Sequence, residues 1–365
     1  MPTPMDVQAD EFRSAGIPIK MGIKTAKNEK GKGDLPKDFS DIASNTWLLR
    51  WARHSAQNYP IVLRSDGVRF LTGACTKIPA FVVGIGPSLD ANIEELKRAY
   101  RRAIIIATDA SLYPLLAKGI KPDIVINFDC QRDQKTLWEN LPKNAGDITL
   151  IANSCCHPNI FKSYPGPLMF YNQWHKKDVF VDRLLPYIFP HLGDLPSVGT
   201  VGNMGIMLAS KMGCDPIMTV GMDLCYQKKG DGWQYRCEDY RYGKDYMEVY
   251  GWMKRENKTL YDNDERVKRS YEKKIGENVY RIDPELDAYQ ECLVGLTDGL
   301  RMKIIDCSIE GILREYFRNI SITQAINEFC TEELSEGRTS LFRLKDLVKD
   351  GRKQWGEDSK NGHSY

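Results

Sequence analysis

Between residues 80 and 152 the chain repeats one pattern that few folds can satisfy: a short, unbroken apolar run, a turn, a helical stretch, then another apolar run. Ala80–Gly84, Ala103–Ala107, Asp123–Phe128 and Ile148–Ala152 are such runs, with helical spacing over Asp90–Tyr100 and Leu112–Lys118. A strand with apolar residues at every position must be covered on both faces. Strands joined by helices must run parallel, through right-handed crossovers. The expected fold class is therefore α/β, a Rossmann-like open and mostly parallel sheet with helices on both faces.

The pattern extends in both directions. Residues 41–58 read as a helix, Pro60–Leu71 as short strands, Pro167–Tyr171 as a further strand, and Asp178–Pro196 as a helix and a connecting loop. A second block opens at Gly199, with a helix over Val201–Met212 and a strand over Ile217–Val220. Residues 226–280 break the rhythm. They are rich in Tyr, Lys, Asp and Gly and too long for an αβ loop, so they read as an inserted lid or subdomain. Leu286–Leu300 reads as a helix, Lys303–Asp306 as a late strand, and Ile309–Phe317 and Ile322–Leu334 as closing helices. The expected organisation is a lead-in and helix over 1–59, an α/β core over 60–225, the insertion over 226–280, completing elements over 281–350 and a polar tail over 351–365.

Charge narrows the partners. Lysine and arginine number 51 against 49 aspartates and glutamates, a net charge of +2, so no bulk attraction to nucleic acid is expected. The lysines between Lys20 and Lys37 read as a solvated segment. No apolar run resembles a signal peptide or a bilayer span, which gives a cytoplasmic reading. The ten cysteines contain no Cys-x-x-Cys pair and read as buried thiols; His157 beside Cys155 and Cys156 is the one hint of zinc.

Chemistry-bearing residues fall where strands end. Gly84-Ile-Gly-Pro-Ser-Leu89 lies between a strand and a helix, so Gly84, Gly86, Pro87 and Ser88 are candidates to cradle a phosphate against the helix N-terminus, Ser88 being equally a helix cap. The loop lacks the third glycine of a dinucleotide fingerprint and the Gly-Lys-Ser/Thr of a P-loop. Ser197-Val-Gly-Thr-Val-Gly-Asn203 is a second candidate cradle, through Gly199, Thr200, Gly202 and Asn203. Asp109 and Asp129 end two strands, at the edge where open α/β sheets bind ligands, and are candidates both for catalysis and for holding Mg²⁺. Asp223 ends another strand and is a third catalytic candidate, with a cap or turn residue as the competing reading. Asn153 and Ser154 are candidates to read a base or sugar, and His157 is a candidate base or a structural residue. Tyr226, Trp233, Tyr235, Tyr240 and Tyr242 make either a stacking wall or the small core of the insertion.

Taken together, Gly84–Leu89, Thr108-Asp-Ala110, Gly119–Asp129 and Gly221-Met-Asp-Leu224 resemble the MptE-like 6-hydroxymethylpterin diphosphokinase domain. That group is related to motility accessory factors and, in its nucleotide-binding layout, to bacterial CMP-sialic-acid sialyltransferases. The resemblance covers roughly residues 60–225, with Asp306–Gly311 as an extension. On the diphosphokinase side it implies Mg²⁺ at Asp109 and Asp129 and transfer of a diphosphate from ATP to a hydroxymethyl acceptor. On the sialyltransferase side it implies a CMP-sugar, perched on the two glycine loops. The sequence departs from the second pattern in having no histidine between His191 and His363, and from the first in the segment Phe128-Asp-Cys-Gln131. The readings that follow are a nucleotide-dependent transferase of diphosphokinase type, a glycosyltransferase using a CMP-activated nonulosonic acid or another nucleotide sugar, and a non-catalytic nucleotide-binding protein. A small-molecule acceptor is the expected partner, and a homo-oligomer is left open.

Overall fold

The computed structural model describes residues 39–128, 141, 145–174, 180–238, 261–298 and 303–334, all within one compact unit. Its centre is a ten-stranded, wholly parallel sheet. The chain enters through α1 (Phe39–Val62), then β1 (Asp66–Gly67), β2 (Ala80–Val83), α2 (Leu89–Leu96), β3 (Ile104–Thr108), α3 (Leu112–Ala117) and β4 (Ile124–Asn127). It continues through β5 (Thr149–Asn153), α4 (Pro158–Ser163), β6 (Leu168–Trp174), α5 (Phe180–Ile188), β7 (Asp194–Pro196), α6 (Val201–Lys211) and β8 (Ile217–Val220). The order across the sheet is β1-β6-β5-β4-β3-β2-β8, with β7 beside β6 and two late strands added beyond β8.

The sequence pattern explains the layering. Alternate residues of one strand face opposite ways. Phe81, Val83, Ile105, Ala107, Val125 and Leu150 face the helices α1 to α5, while Ala80, Val82, Ile104, Ile106, Ile124 and Ile126 face α6. Both sets are buried, as a two-sided sheet requires. Complete burial of a side chain such as Phe81 contributes roughly 2–3 kcal/mol. Helix α6 lies close to the sheet because Gly205 lacks a side chain: a Cβ there would meet Val82 Cγ1 at 2.7 Å.

After β8 the chain leaves the sheet. Strands β9 (Tyr226–Lys229) and β10 (Gly232–Gln234) form a hairpin. Helix α7 (Glu265–Arg269) precedes β11 (Tyr271–Ile275) and β12 (Asn278–Ile282). These four strands make a separate antiparallel sheet, β10-β9-β12-β11. Its core holds Tyr226, Trp233, Val267, Tyr280, Ile282 and Leu286. Tyr226 and Trp233 are thus core residues of the insertion, with Tyr235 packed at its margin. Tyr240 and Tyr242 lie outside the described residues.

The chain returns through α8 (Pro284–Leu296), β13 (Ile304–Asp306), β14 (Arg318–Asn319) and α9 (Ile322–Phe329), and β13 adds to the parallel sheet beside β8. Two local expectations are corrected. Residues 309–317 do not form a helix: they bend and hold only a 3-10 turn at Leu313–Glu315, because Ile309 and Gly311 adopt positive φ of 65° and 105°. In 60–71 only Asp66 and Gly67 form a strand, since α1 runs on to Val62. Among the described residues no helix is long and apolar enough to cross a membrane, and the nine described cysteines are free thiols.

Candidate nucleotide site at the strand ends

The order of strands reverses at β2. Strands β3, β4, β5 and β6 extend to one side of it, β8 and β13 to the other. In an open parallel sheet the crevice at such a reversal, outside the carboxyl ends of the strands, is where ligands bind. Here it lies between the loop after β2, residues 84–88, and the loop after β8, residues 221–224.

These two loops hold each other closely. The Gly84 N–H donates to Val220 O (2.9 Å) and the Gly86 N–H to Gly221 O (2.7 Å). A Cβ on Gly84 would lie 2.4 Å from Gly221 O, and one on Gly86 would lie 2.2 Å from Asp223 Oδ2. The glycines are therefore demanded by the neighbouring loop. Asp223 completes the contact: the Ser88 N–H donates to its Oδ2 (2.9 Å) and the Ser88 hydroxyl to its Oδ1. Ser88 makes no side-chain cap bond to its own helix. Leu89 and Asp90 N–H groups turn back to Gly86 O and Pro87 O. So at the start of α2 an internal carboxylate takes the place that a helix N-terminus offers to an anion.

Asp223 is almost fully buried, and burial pushes its carboxyl up to about 7, with the nearby Asp306 and Glu310 raising it further and the Ser88 bonds opposing. Asp306 is also raised, by its own burial. The backbone around Asp223 is unusual: Gly221 (φ 68°), Leu224 (φ 49°) and, across the contact, Ile309 (φ 65°) and Gly311 (φ 105°) are all left-handed. A Cβ on Gly311 would meet Asp223 Cα at 2.8 Å. Non-glycine residues adopt such angles at a cost, and they cluster at functional sites.

The second glycine loop is different. Thr200 caps α6, its Oγ1 accepting the Asn203 N–H (3.1 Å). The buried Asn203 donates to Val198 O (2.8 Å) and Tyr289 O (3.0 Å), so it ties α6 to α8 while Thr200 does the capping. Among the described residues, the N–H groups of Val201 and Gly202 have no hydrogen-bond acceptor. A Cβ on Gly202 would lie 2.2 Å from Met222 Sδ and 3.9 Å from Thr108 Cγ2, which sets these open donors at the ends of β3 and β8. Gly199, with φ 82°, has the Tyr289 ring against it, 2.4 Å from where its Cβ would stand.

Along the rest of the rim, polar side chains replace apolar ones as each strand ends. Asp109, buried at the end of β3, accepts from the Ala110 N–H (2.8 Å) and from Asn127 Nδ2 (2.9 Å). Asn127 was not among the residues singled out from the sequence; the signal available was a lone amide closing the apolar run Ile124–Asn127. Asn153 donates to Gln173 Oε1 (2.5 Å) and accepts the Cys155 N–H (2.9 Å), and the buried Ser154 Oγ has no hydrogen-bond partner among the described residues. His157 caps α4 through Nδ1 and packs edge-on against His54 at 5.0 Å. Burial first, then His157, lowers His54 to about 4.

Asp129 lies outside the described residues, so its expected company with Asp109 has no structural counterpart here. Among the described residues no group of three His, Cys, Asp or Glu is placed to hold a metal. Asp109 fits Mg²⁺ in kind, a hard carboxylate oxygen steadied by an amide, and Mg²⁺ commonly takes one or two carboxylates with phosphate and water oxygens.

The antiparallel sheet reaches both glycine loops. The Cys237 N–H donates to Ile85 O (2.9 Å) and the Glu238 N–H to Asp90 Oδ1 (2.9 Å), while Tyr289 meets Gly199 and Asn203.

Comparison with known proteins bears on the fold. Residues 53–229 match the model of the family described as 6-hydroxymethylpterin diphosphokinase MptE-like. The solved structure of the MAf glycosyltransferase from Magnetospirillum magneticum AMB-1 is similar in fold, with a TM-score of 0.52 at 18% identity over 79% of this chain. The match spans 39% of that protein's length. No curated protein matches the chain.

Proposed function

We propose, for a chain whose residues 53–229 match the MptE-like family model, a nucleotide-dependent transferase whose donor phosphate rests on the N-terminus of α6. The observation that carries this reading is the pair of open N–H groups on Val201 and Gly202, set at the strand-order reversal beside Thr108 and Met222. Backbone donors with no internal acceptor at a helix start favour an anion, and the helix dipole adds to the attraction. The transferase class is supported by the family match and by the glycosyltransferase fold.

Within that class we favour diphosphate transfer. The acceptor hydroxyl oxygen would attack the β-phosphorus of ATP, AMP would leave, and the hydroxyl proton would pass to a base. Asp109 would hold Mg²⁺, which when bound supplies charge neutralisation at the phosphates. Asn127 fixes the direction of the Asp109 carboxylate through its 2.9 Å bond. Asp223 acts as a positioning residue that holds the β2 loop through Ser88. A glycosyl transfer from a nucleotide sugar is the second reading. It is favoured by the extent of the fold similarity, 79% of the chain, well past residue 229.

A thermal-shift panel of CMP, CDP, ATP, GTP and UDP, with and without Mg²⁺, separates the readings, because a ligand that binds only the folded state raises its stability. Diphosphate transfer expects stabilisation by ATP that requires Mg²⁺. Glycosyl transfer expects stabilisation by CMP without metal. No shift with any nucleotide would sink both. Thr200→Ala is expected to lower stability by about 1 kcal/mol through loss of the cap and to weaken nucleotide binding severalfold. A variant destabilised but unchanged in nucleotide affinity would place the donor elsewhere.

A further inference from the structure

The buried carboxylate of the β8 loop stands among like charges that are themselves anchored. Asp223 gives Oδ2 to the Ser88 N–H (2.9 Å) and Oδ1 to the Ser88 hydroxyl. The charged groups that act on it most are both acidic: Asp306, which ends β13, and Glu310, in the bend that follows. Asp306 is buried and accepts from the Thr219 hydroxyl (3.1 Å), the Ser308 N–H (3.1 Å) and Asn319 Nδ2 (3.0 Å). Glu310 is held from the antiparallel sheet, by the Tyr280 hydroxyl and by Asn278 Nδ2 (3.1 Å). Cys225, on the same loop as Asp223, is a thiol pushed up by burial first and then by the Asp223 charge. The backbone closes the site, since the Ile312 N–H donates to Asp223 O (3.1 Å). The donor site lies next along the chain. Met222 Sδ stands 2.2 Å from where a Cβ on Gly202 would lie, and Asp223 is the following residue. With consecutive Cα atoms about 3.8 Å apart, the carboxylate is within roughly 15 Å of the Gly202 N–H.

We infer that Asp223 couples phosphate binding at the start of α6 to the uptake of a proton: the donor binds the protein with a neutral Asp223 more tightly than the protein with an ionised one. This rests on the donor-site reading above and adds to it a dependence on pH. A buried negative charge at that range repels an incoming phosphate and is only weakly screened by salt, which lowers affinity by a factor of about three or more. The repulsion acts both ways, so the bound phosphate disfavours the ionised carboxylate. Burial already sets Asp223 at about 7 without a ligand. A bound phosphate raises it further, and between the two values binding draws in a proton. Affinity is therefore highest below the first value and falls as pH rises from it to the second.

The test is titration calorimetry of the full chain with CMP, and with ATP plus Mg²⁺, at pH 7.5 in two buffers of different ionisation enthalpy and then at steps from pH 7 to pH 8.5. A phosphate monoester, with its second pKa near 6, is already largely ionised across that range, so the ligand itself contributes little. The expected result is net proton uptake on binding and an affinity that falls with rising pH. Asp223→Asn is expected to remove the uptake, to flatten the profile and, at pH 8.5, to bind about threefold or more tighter than the natural protein. A gain of affinity is a readout that a damaged fold does not produce. Ser88→Ala keeps the carboxylate and removes a bond that favours its ionised form, so the fall should move to higher pH. Binding without proton uptake, or parallel profiles in the natural protein and Asp223→Asn, overturns the coupling and leaves the donor site standing. Absence of binding by either nucleotide at every pH overturns the donor site and the coupling with it. Melting curves of the ligand-free proteins at each pH confirm that all remain folded during the titrations.

Discussion

Gly84→Ala is expected to destabilise the protein by about 3 kcal/mol, read as a lower urea midpoint. The added Cβ would stand 2.4 Å from Gly221 O and 2.8 Å from Met222 Sδ. The first of these is backbone, so no side-chain rotation relieves it. The loops cannot separate freely either, because the Gly84 and Gly86 N–H groups bind Val220 O and Gly221 O. Relief would come from parting β2 and β8, which also displaces Met222 from Gly202 and disturbs the donor site. Gly295→Ala is the matching control. It lies in α8 with nothing within 4 Å of its Cβ position, and the change should be neutral or stabilising by up to about 1 kcal/mol. Equal losses for the two substitutions would show that the loop contact is not as close as described.

Asp223→Asn is expected to abolish most of a pH dependence. An exposed aspartate has a value of 3.8, and burial raises Asp223 to about 7. Between those limits the folded chain keeps a proton that the unfolded chain has released. The favourable contribution is fully present below 3.8 and is lost as pH rises through about 7. The loss amounts to something on the order of 4 kcal/mol. Asparagine carries no charge, and it can still accept the Ser88 N–H while its amide donates to the Ser88 hydroxyl. Urea unfolding from pH 5 to pH 8.5 should therefore decline in the natural protein and decline much less in the variant. Parallel pH profiles would assign the titration to another group.

Much of the fold was readable because its strands are almost wholly apolar. Ala80–Val83, Ile104–Thr108, Ile124–Asn127 and Ile217–Val220 have no polar face to expose, so only a doubly covered sheet accommodates them. Residues 309–317 misled because Ile312, Leu313 and Phe317 recur at helical spacing, whereas Ile309 and Gly311 are bent into left-handed angles to clamp Asp223. Within the site, strand-end residues such as Asp109 and Asp223 could be picked out by position alone. Their partners could not. Ser88 and Asp223 are 135 residues apart, and nothing local announces that one satisfies the other. The two glycine loops look alike in sequence. They differ only in what lies opposite: a carboxylate occupies the first, while the second leaves Val201 and Gly202 N–H groups open.

The tethers of the antiparallel sheet also bear on the order of assembly. Glu238 and Asp90 are separated by 148 residues, Asn203 and Tyr289 by 86. Closing such long loops is entropically costly until their anchor points are in place. Both tethers end on helices of the parallel layer, α2 and α6, so the antiparallel sheet docks on anchor points that this layer supplies. A part docked through such tethers is expected to unlatch before the body melts, and an occupant bridging the two sheets would act as a clasp that delays that first opening.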